Sequence, residues 1–211
     1  MNMKKTVSLA VLVFIVTATI IVSAQSQAGS KRILIAYFSM PETDGLNAVS
    51  GASRLVVDGT VTGNVQFVAN AIQRATGGDL FAIRTVQTYP ETHRPLLDMA
   101  QNEQRTNARP RLATQISSLQ EYDTIFLGYP IWWYDLPMPL YSFLEGYNFA
   151  GKTIIPFTVH GGSRLSGTVE KISGLQPQAT VITDGLAVSR NDVARSERDV
   201  TAWLRRLGVV R

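Results

Sequence analysis

Five short runs of mostly apolar residues recur along this 211-residue chain, and each is followed by a segment with helical periodicity. An apolar run without clear alternation is typical of a strand that is covered on both faces. Strands that alternate with helices predict right-handed crossovers and a parallel sheet between two layers of helices. We therefore expect an α/β fold with a three-layer, doubly wound, five-stranded parallel sheet. The predicted strands are Arg32–Phe38, Asp79–Arg84, Thr124–Gly128, Thr153–Val159 and Ala179–Ile182.

The segments between these strands predict helices. The clearest one follows the turn-forming residues of TVTGNVQFVANAI, where Val65, Val68 and Ile72 fall on one helical face and Gly77 follows as a stop. Ser189 and Asp192 resemble a capping box at the start of the last helix. The predicted helices are Val65–Ala75, His93–Arg105, Leu140–Leu144, Gly167–Ile172 and about Arg190–Leu207.

The N-terminus has the layout of a secretory leader. Lys4 and Lys5 precede an uncharged run at residues 7–22, and the small residues at the end of Val22-Ser23-Ala24 suit a signal peptidase. This pattern predicts a leader at residues 1–24, a linker at residues 25–31, a domain at residues 32–211 and export to the periplasm or beyond the cell. The uncharged run is only slightly short of a membrane span, so an uncleaved membrane anchor is the alternative.

Composition excludes several classes of site. The chain has no cysteine, so disulfides, thiolate catalysis and Cys-based metal sites are excluded, and its two histidines do not provide the ligands of a zinc centre. Two of the 20 basic residues lie in the leader, and 16 acidic residues oppose the rest. This balance gives no electrostatic case for nucleic-acid binding. Neither the nucleophile elbow of hydrolases nor a phosphate-binding P-loop lysine is present.

Three predicted strands end in chemically unusual loops. Ser39 and Met40 follow the first strand, Pro130–Tyr134 follows the third, and His160–Ser163 follows the fourth. Taken singly, a serine, a Trp pair or a Gly pair each has an ordinary structural explanation. The carboxyl ends of parallel strands meet at one edge of the sheet, where ligands bind in open α/β folds. Convergence of the three loops at that edge favours a ligand site.

These motifs, read together, resemble the bacterial flavodoxin-like family. The matching stretches are Tyr37-Phe38-Ser39, Gly63-Asn64, the stretch from Gly128 to Trp133, and the His160–Ser163 loop. The resemblance implies the strand order 2-1-3-4-5 and non-covalent FMN. It also implies that the phosphate loop of simpler members is split here by an insertion at residues 41–61, which holds a small strand near Leu55–Val57.

The resemblance carries the cofactor-binding role over to particular residues. Ser39, Met40, Thr62, Gly63, Asn64 and Val65 would hold the FMN phosphate, and Val65 stands where the family has a threonine. Pro130, Ile131, Trp132, Trp133, His160, Gly161 and Gly162 would hold the isoalloxazine ring.

The function implied is that of an electron carrier with an unidentified redox partner or small electron acceptor. The flavin carries the chemistry, so no catalytic side chain and no metal site are predicted. The alternatives are an NAD(P)H-dependent quinone or nitro-compound reductase and a flavin-free binding module. Ser50–Ser53 also resembles a sequence to which exported flavoproteins attach FMN covalently, although an ordinary turn or a lid explains it as well.

Overall fold

The computed structural model describes residues 32–44 and 54–211. The predicted leader, the linker and Ser53 lie outside the described residues, so what the sequence indicates about them stays a prediction.

A parallel sheet forms the centre of the described domain. Its strands stand in the order β4-β1-β5-β6, and β7 and β8 share the last position, both paired with β6. The first to fifth predicted strands correspond to β1, β4, β5, β6 and β7, so the order along the sheet is the expected 2-1-3-4-5. The predicted fold class is confirmed. The strands along the chain are β1 (Ile33–Tyr37), β2 (Arg54–Val57), β3 (Thr60–Gly63), β4 (Asp79–Ala82), β5 (Thr124–Pro130), β6 (Thr153–His160), β7 (Thr180–Val181) and β8 (Leu186–Ser189).

Two layers of helices cover the sheet. One buried cluster joins Leu34 and Ala36 of β1 to α2, α3 and α4, and the other joins Ile35 of β1 to α1 and α5. Neighbouring residues of one strand thus face opposite layers, which explains why the strand has no polar face. The helices are α1 (Asn64–Thr76), α2 (His93–Arg105), α3 (Met138–Gly146), α4 (Thr168–Leu175) and α5 (Glu197–Arg206).

The last part of the chain differs from the sequence prediction. A helix was expected from about Arg190, but β8 ends at Ser189 and α5 begins only at Glu197, after a 3₁₀ turn at Val193–Arg195. Ser189 and Asp192 therefore form no capping box. The Ser189 hydroxyl instead accepts a hydrogen bond from the Asn191 N–H at 3.3 Å. The chain forms a strand here because Leu186–Ser189 can pair with the second half of β6.

Pro156 explains why two short strands share the edge of β6. Proline has no N–H to donate and is awkward inside a sheet. The Ile154 carbonyl accepts a hydrogen bond from the Ile182 N–H. The backbone groups of every second residue in a strand point to the same neighbour, so the backbone of Pro156 also faces the side of β7 and β8. β7 pairs with Thr153 and Ile154, whereas β8 pairs from Phe157 onward. Pro156 therefore lies in the gap between the two pairings.

A hairpin of β2 and β3 stands apart from the main sheet and leads directly into α1. Asp58 and Gly59 form its turn with φ of 50° and 77°, which is the backbone that a two-residue hairpin requires. Leu55 is buried against the α1–α5 layer. The small strand expected near Leu55–Val57 is confirmed, whereas the sequence did not indicate that Thr60–Gly63 would be its partner.

Candidate functional site

The loop after β1 lies directly against the start of α1. A side chain at Gly63 would collide with the Ser39 hydroxyl and would lie 3.0 Å from Ser39 Cβ, so the approach requires glycine. Gly63 is also the N-cap residue of α1, and because glycine has no side chain, no side-chain oxygen accepts a hydrogen bond from the helix start. The first N–H groups of the helix are therefore open to another acceptor. The structure thus brings together Ser39 and the Thr62–Val65 stretch, which the hairpin separates in the sequence.

Buried polar atoms at this contact lack partners. Asn64 is 1 % exposed, and neither atom of its side-chain amide has a hydrogen-bond partner among the described residues. The buried hydroxyl of Ser39 is in the same situation there. Buried polar atoms in proteins are nearly always paired. We call Ser39, Gly63, Asn64 and the first N–H groups of α1 the anion nest.

The other residues predicted for the phosphate lie around this nest. Val65 is fully buried in the α1–α5 layer, so its side chain belongs to the core and only its backbone can face a ligand. Thr62 is half-buried in β3, and Met40 is half-buried against the opposite layer. Ser39 and Met40 line a cleft of 430 Å³ together with Gln66 and the loop after β4.

The loop after β5 forms a tight turn of aromatic residues, Trp132–Asp135, which we call the aromatic turn. Trp132 and Asp135 exchange both backbone hydrogen bonds, at 3.0 and 2.9 Å. The two residues between them, Trp133 and Tyr134, have φ of 48° and 64°. Left-handed backbone at both positions is typical of a two-residue turn that usually holds Asn or Gly. Large aromatic residues adopt it only when their surroundings enforce it.

Contacts from two elements hold Trp133 and Tyr134 of the aromatic turn. On α2, the Leu97 carbonyl accepts the indole N–H of Trp133 at 3.1 Å, and Gln104 donates to the Trp133 carbonyl at 3.2 Å. From the loop before α4, the Ser166 hydroxyl donates to the Tyr134 carbonyl at 2.9 Å.

Asp135 anchors the end of the turn with its carboxylate. Lys171 of α4 donates to it at 2.5 Å, the Tyr141 hydroxyl of α3 donates at 3.1 Å, and the Leu136 N–H donates at 2.7 Å. Burial, followed by the Asp135 charge, raises the pKa of Tyr141 to about 12, so Tyr141 stays a donor at neutral pH. The one acidic side chain of the aromatic turn is therefore compensated by a lysine.

The loop after β6, Gly161–Ser163, is called here the glycine loop. His160 precedes it and is 7 % exposed, and its Nδ1 accepts a hydrogen bond from the Gly162 N–H at 2.9 Å. This bond places the ring proton on Nε2. Burial, and then the charge of Arg164, lowers the pKa of His160 below its ordinary value. His160 is thus a neutral support beneath the glycine loop.

A cleft of 530 Å³ lies between the aromatic turn and the glycine loop. This volume is in the range of small-molecule sites. Of the residues predicted for the ring, Pro130 and His160 do not line the cleft and instead support it from the ends of β5 and β6. The lining residues are Leu97, Ile131, Trp132, Trp133, Tyr134, Gly161, Gly162, Ser163 and Arg190.

Sequence reasoning missed four of these lining residues. Tyr134 and Ser163 belong to the loops that were singled out, but no binding role was assigned to them. Arg190 was missed because it was placed at the start of the last predicted helix. It instead directly follows β8 and reaches the cleft because its backbone N–H pairs with the His160 carbonyl at 2.9 Å. Leu97 carries no signal in the sequence beyond its place on a helical face.

Phe38 connects the anion nest with the cleft. It directly precedes Ser39, and its ring packs edge-on against Trp132 with 5.4 Å between centroids. Trp132 is 6 % exposed, and no partner for its indole N–H exists in the described ranges. The nest and the cleft are thus joined through one residue pair.

Among the described residues, no group of three or more His, Asp or Glu side chains is placed to hold a metal ion. No helix in the described part of the chain combines the length and the apolar character needed to cross a membrane.

The comparisons with known proteins agree with this architecture. A family model described as flavodoxin matches residues 53–207. None of the curated protein sequences matches the chain significantly.

Solved structures extend the similarity over most of the chain. A candidate flavoprotein from Bacteroides eggerthii is 26% identical, with a TM-score of 0.62 over 84% of this chain and 98% of its own. A candidate flavoprotein from Bacteroides uniformis is 25% identical, with a TM-score of 0.62 over 83% of this chain and 99% of its own. A Lactobacillus acidophilus flavoprotein, solved in complex with FMN, is 18% identical, with a TM-score of 0.54 over 78% and 97% of the two chains, and shares the fold.

Proposed function

The chain belongs to the flavodoxin family, and from this membership we propose that it binds FMN non-covalently and acts in electron transfer. The observation that carries the proposal is the anion nest. Asn64 and Ser39 present buried polar atoms that lack partners within the described residues, and they stand at a helix start whose N–H groups favour an anion. A phosphate monoester provides the acceptors that these groups lack.

The flavin ring fits the second part of the site. The cleft is bounded by Trp133 and Tyr134 on one side and by Gly161 and Gly162 on the other, and glycines permit close approach of the backbone to a ring. The Trp132 indole N–H is a buried donor without a partner among the described residues. Phe38 lies between this cleft and the nest, which suits a ligand with a phosphate at one end and a planar ring at the other.

When bound, FMN would supply the redox chemistry by accepting and releasing electrons. Ser39, Asn64 and the first N–H groups of α1 would fix the phosphate, while the aromatic turn and the glycine loop would orient the ring and exclude water from it. The hydrogen bond between His160 and Gly162 would keep the glycine loop in place. No side chain of the site needs to act as an acid or a base for this role.

The absorbance spectrum of the purified protein tests the class of function. We expect flavin bands at about 370 and about 450 nm, either as purified or after adding FMN. A protein that remains colourless and does not bind added FMN would instead be a flavin-free binding module.

The role of the anion nest is tested by the double variant S39A/N64A. Each lost phosphate contact is a charge-assisted hydrogen bond worth about 1.5–3 kcal/mol. We expect FMN binding to weaken at least about 100-fold, while riboflavin, which has no phosphate, is affected little. The exposed pair S117A/N102A is the matched control. Unchanged FMN affinity in S39A/N64A would remove the phosphate assignment.

A second candidate function is that of an NAD(P)H-dependent reductase of quinones or nitro compounds. It is favoured by Tyr134, which lines the cleft and is 75% exposed, because an open aromatic surface allows a planar acceptor to stack. Steady-state oxidation of NAD(P)H in the presence of a quinone would support this function. Reduction that requires a separate reductase protein would support the carrier.

We also propose export, on the basis of the leader at residues 1–24 and its small residues before position 25. N-terminal sequencing of the protein from its native cell is the test. A chain that begins at Gln25 agrees with cleavage, and a membrane-bound chain that retains residues 7–22 agrees with an anchor. The redox partner would then also lie outside the cytoplasm.

A further inference from the structure

Arg54 stands beside the anion nest, although it belongs to the inserted hairpin. It begins β2, and its Cα partner across the hairpin is Gly63, the residue that touches Ser39. The insertion therefore places a guanidinium-bearing residue directly across from the start of α1.

The guanidinium of Arg54 is held from one side. Its Nη1 donates to the Glu42 carbonyl at 3.1 Å and to the Thr43 carbonyl at 2.9 Å, both in the loop that follows Ser39. Arg54 thus ties the hairpin to the loop that follows Ser39. These two bonds orient the planar group and leave its remaining donors to point elsewhere.

The Nε of the Arg54 guanidinium lacks an acceptor. Nε is buried and has no hydrogen-bond partner within residues 32–44 and 54–211. In the same ranges Arg54 forms no ion pair with a carboxylate. A buried N–H of a charged group costs free energy unless it is paired. Nε and the adjacent Nη2 form the edge that binds two oxygens of a phosphate at once.

We propose that Arg54 is a phosphate ligand of the cofactor, donated by the insertion through its Nε–Nη2 edge. This inference rests on the proposed FMN function and adds a cationic contact to the hydroxyl, amide and backbone contacts of the nest. It also gives the insertion a role. Val65 offers no hydroxyl where simpler relatives have a threonine, and Arg54 would replace that missing phosphate contact.

The test compares FMN with riboflavin in the variant R54M. The methionine keeps most of the side-chain length but removes all guanidinium donors. We expect FMN to bind about 10–100-fold more weakly, as for the loss of a charge-assisted contact, while riboflavin affinity stays within about twofold. The control R94M removes an exposed arginine of α2 that pairs with Asp98, and it should leave both affinities unchanged.

The variant R54K separates a charge effect from a structural effect. The second ionisation of a phosphate monoester lies near pH 6, so a cation that binds the phosphate makes FMN affinity rise across that pH. We expect the full pH step in the unchanged protein and in R54K, and a smaller step in R54M, where only the N–H groups of α1 still favour the doubly charged phosphate. If R54M does not fold, R54K alone tests the inference. R54K should bind FMN more weakly than the unchanged protein and should keep the pH step.

Three results overturn the inference. They are equal FMN affinity in R54M and the unchanged protein, a parallel loss of riboflavin affinity, and a pH step in R54M as large as that of the unchanged protein. An unchanged protein that binds neither flavin would instead overturn the proposed function itself.

Discussion

At the scale of single residues, the main departure from ordinary geometry is the left-handed backbone of Trp133 and Tyr134. Such backbone costs roughly 1–2 kcal/mol for a residue with a side chain. Hydrogen bonds from Gln104 and Ser166 to the carbonyls of these residues oppose relaxation. Strain held in this way at the mouth of a cleft is typical of a functional site.

A pair of variants at Tyr134 measures this strain. Y134A and Y134G both remove the ring, but only glycine adopts the left-handed backbone without cost. We expect Y134G to be more stable than Y134A by about 1 kcal/mol, seen as a melting temperature about 2–4 °C higher. FMN affinity should be the same in the two variants. Equal melting temperatures would show that the turn is not strained at this position.

The lowered pKa of His160 predicts a dependence of stability on pH. In the unfolded chain the histidine has a pKa of about 6.5. Just below that pH, the unfolded chain therefore binds a proton that the folded protein does not. Stability is therefore complete above that pKa and falls as the pH decreases below it. Asparagine keeps an acceptor for the Gly162 N–H without titrating. Between about pH 7.5 and about pH 5.5, the melting temperature of the unchanged protein should fall by several degrees more than that of H160N. Parallel curves for the two proteins would contradict this prediction.

At the scale of the elements, the contact between the β1 loop and α1 decides whether the nest exists. Gly63 permits it because a Cβ there would meet Ser39. The hairpin that precedes Gly63 leaves this contact intact, since β3 returns the chain to the start of α1.

The variant G63A should displace the Ser39 loop. We expect FMN affinity to fall at least about tenfold, the equivalent of one lost contact of about 1.4 kcal/mol. G146A is the control, because a Cβ at Gly146, in the last turn of α3, meets nothing within 4 Å. Titration of both variants with FMN measures the effect. Wild-type affinity in G63A would mean that the loop adjusts without cost.

At the scale of the whole molecule, positive and negative charges around the site are balanced. Asp135 is the acidic residue of the aromatic turn, and Lys171 pairs with it at 2.5 Å. Arg190 lines the cleft, and Arg164 lies near enough to His160 to affect its pKa. A reduced, anionic flavin would therefore meet little repulsion.

This balance predicts a higher midpoint potential for the second electron than in flavodoxins with acidic flavin surroundings. Removing Lys171 in K171M leaves the Asp135 charge uncompensated, so the potential should fall by tens of millivolts. The exposed variant R205M is the control for a general loss of positive charge. Potentiometry of the three proteins checks the prediction, and an identical potential in K171M would mean that backbone contacts dominate.

The sequence by itself determined the alternation of strands and helices and the two buried faces of the sheet, whereas the strand order and the separated halves of the nest followed from the family resemblance of its motifs. Apolar runs such as Ile33–Tyr37 and the helical spacing of Val65, Val68 and Ile72 are local patterns, and burial follows from them directly. The exact match of α2 to the predicted His93–Arg105 has the same cause.

Only the tertiary structure decided the end of the sheet and the walls of the site. Leu186–Ser189 is too short to show a period, and it is a strand because β6 offers an unpaired edge beyond Pro156. That pairing carries Arg190 to the cleft. The left-handed turn at Trp133 and Tyr134 and the position of Arg54 beside Gly63 likewise depend on contacts with α2, α4 and β3. Contacts between distant segments leave no periodic signal in the chain, because each partner is an ordinary residue until the fold brings the two together.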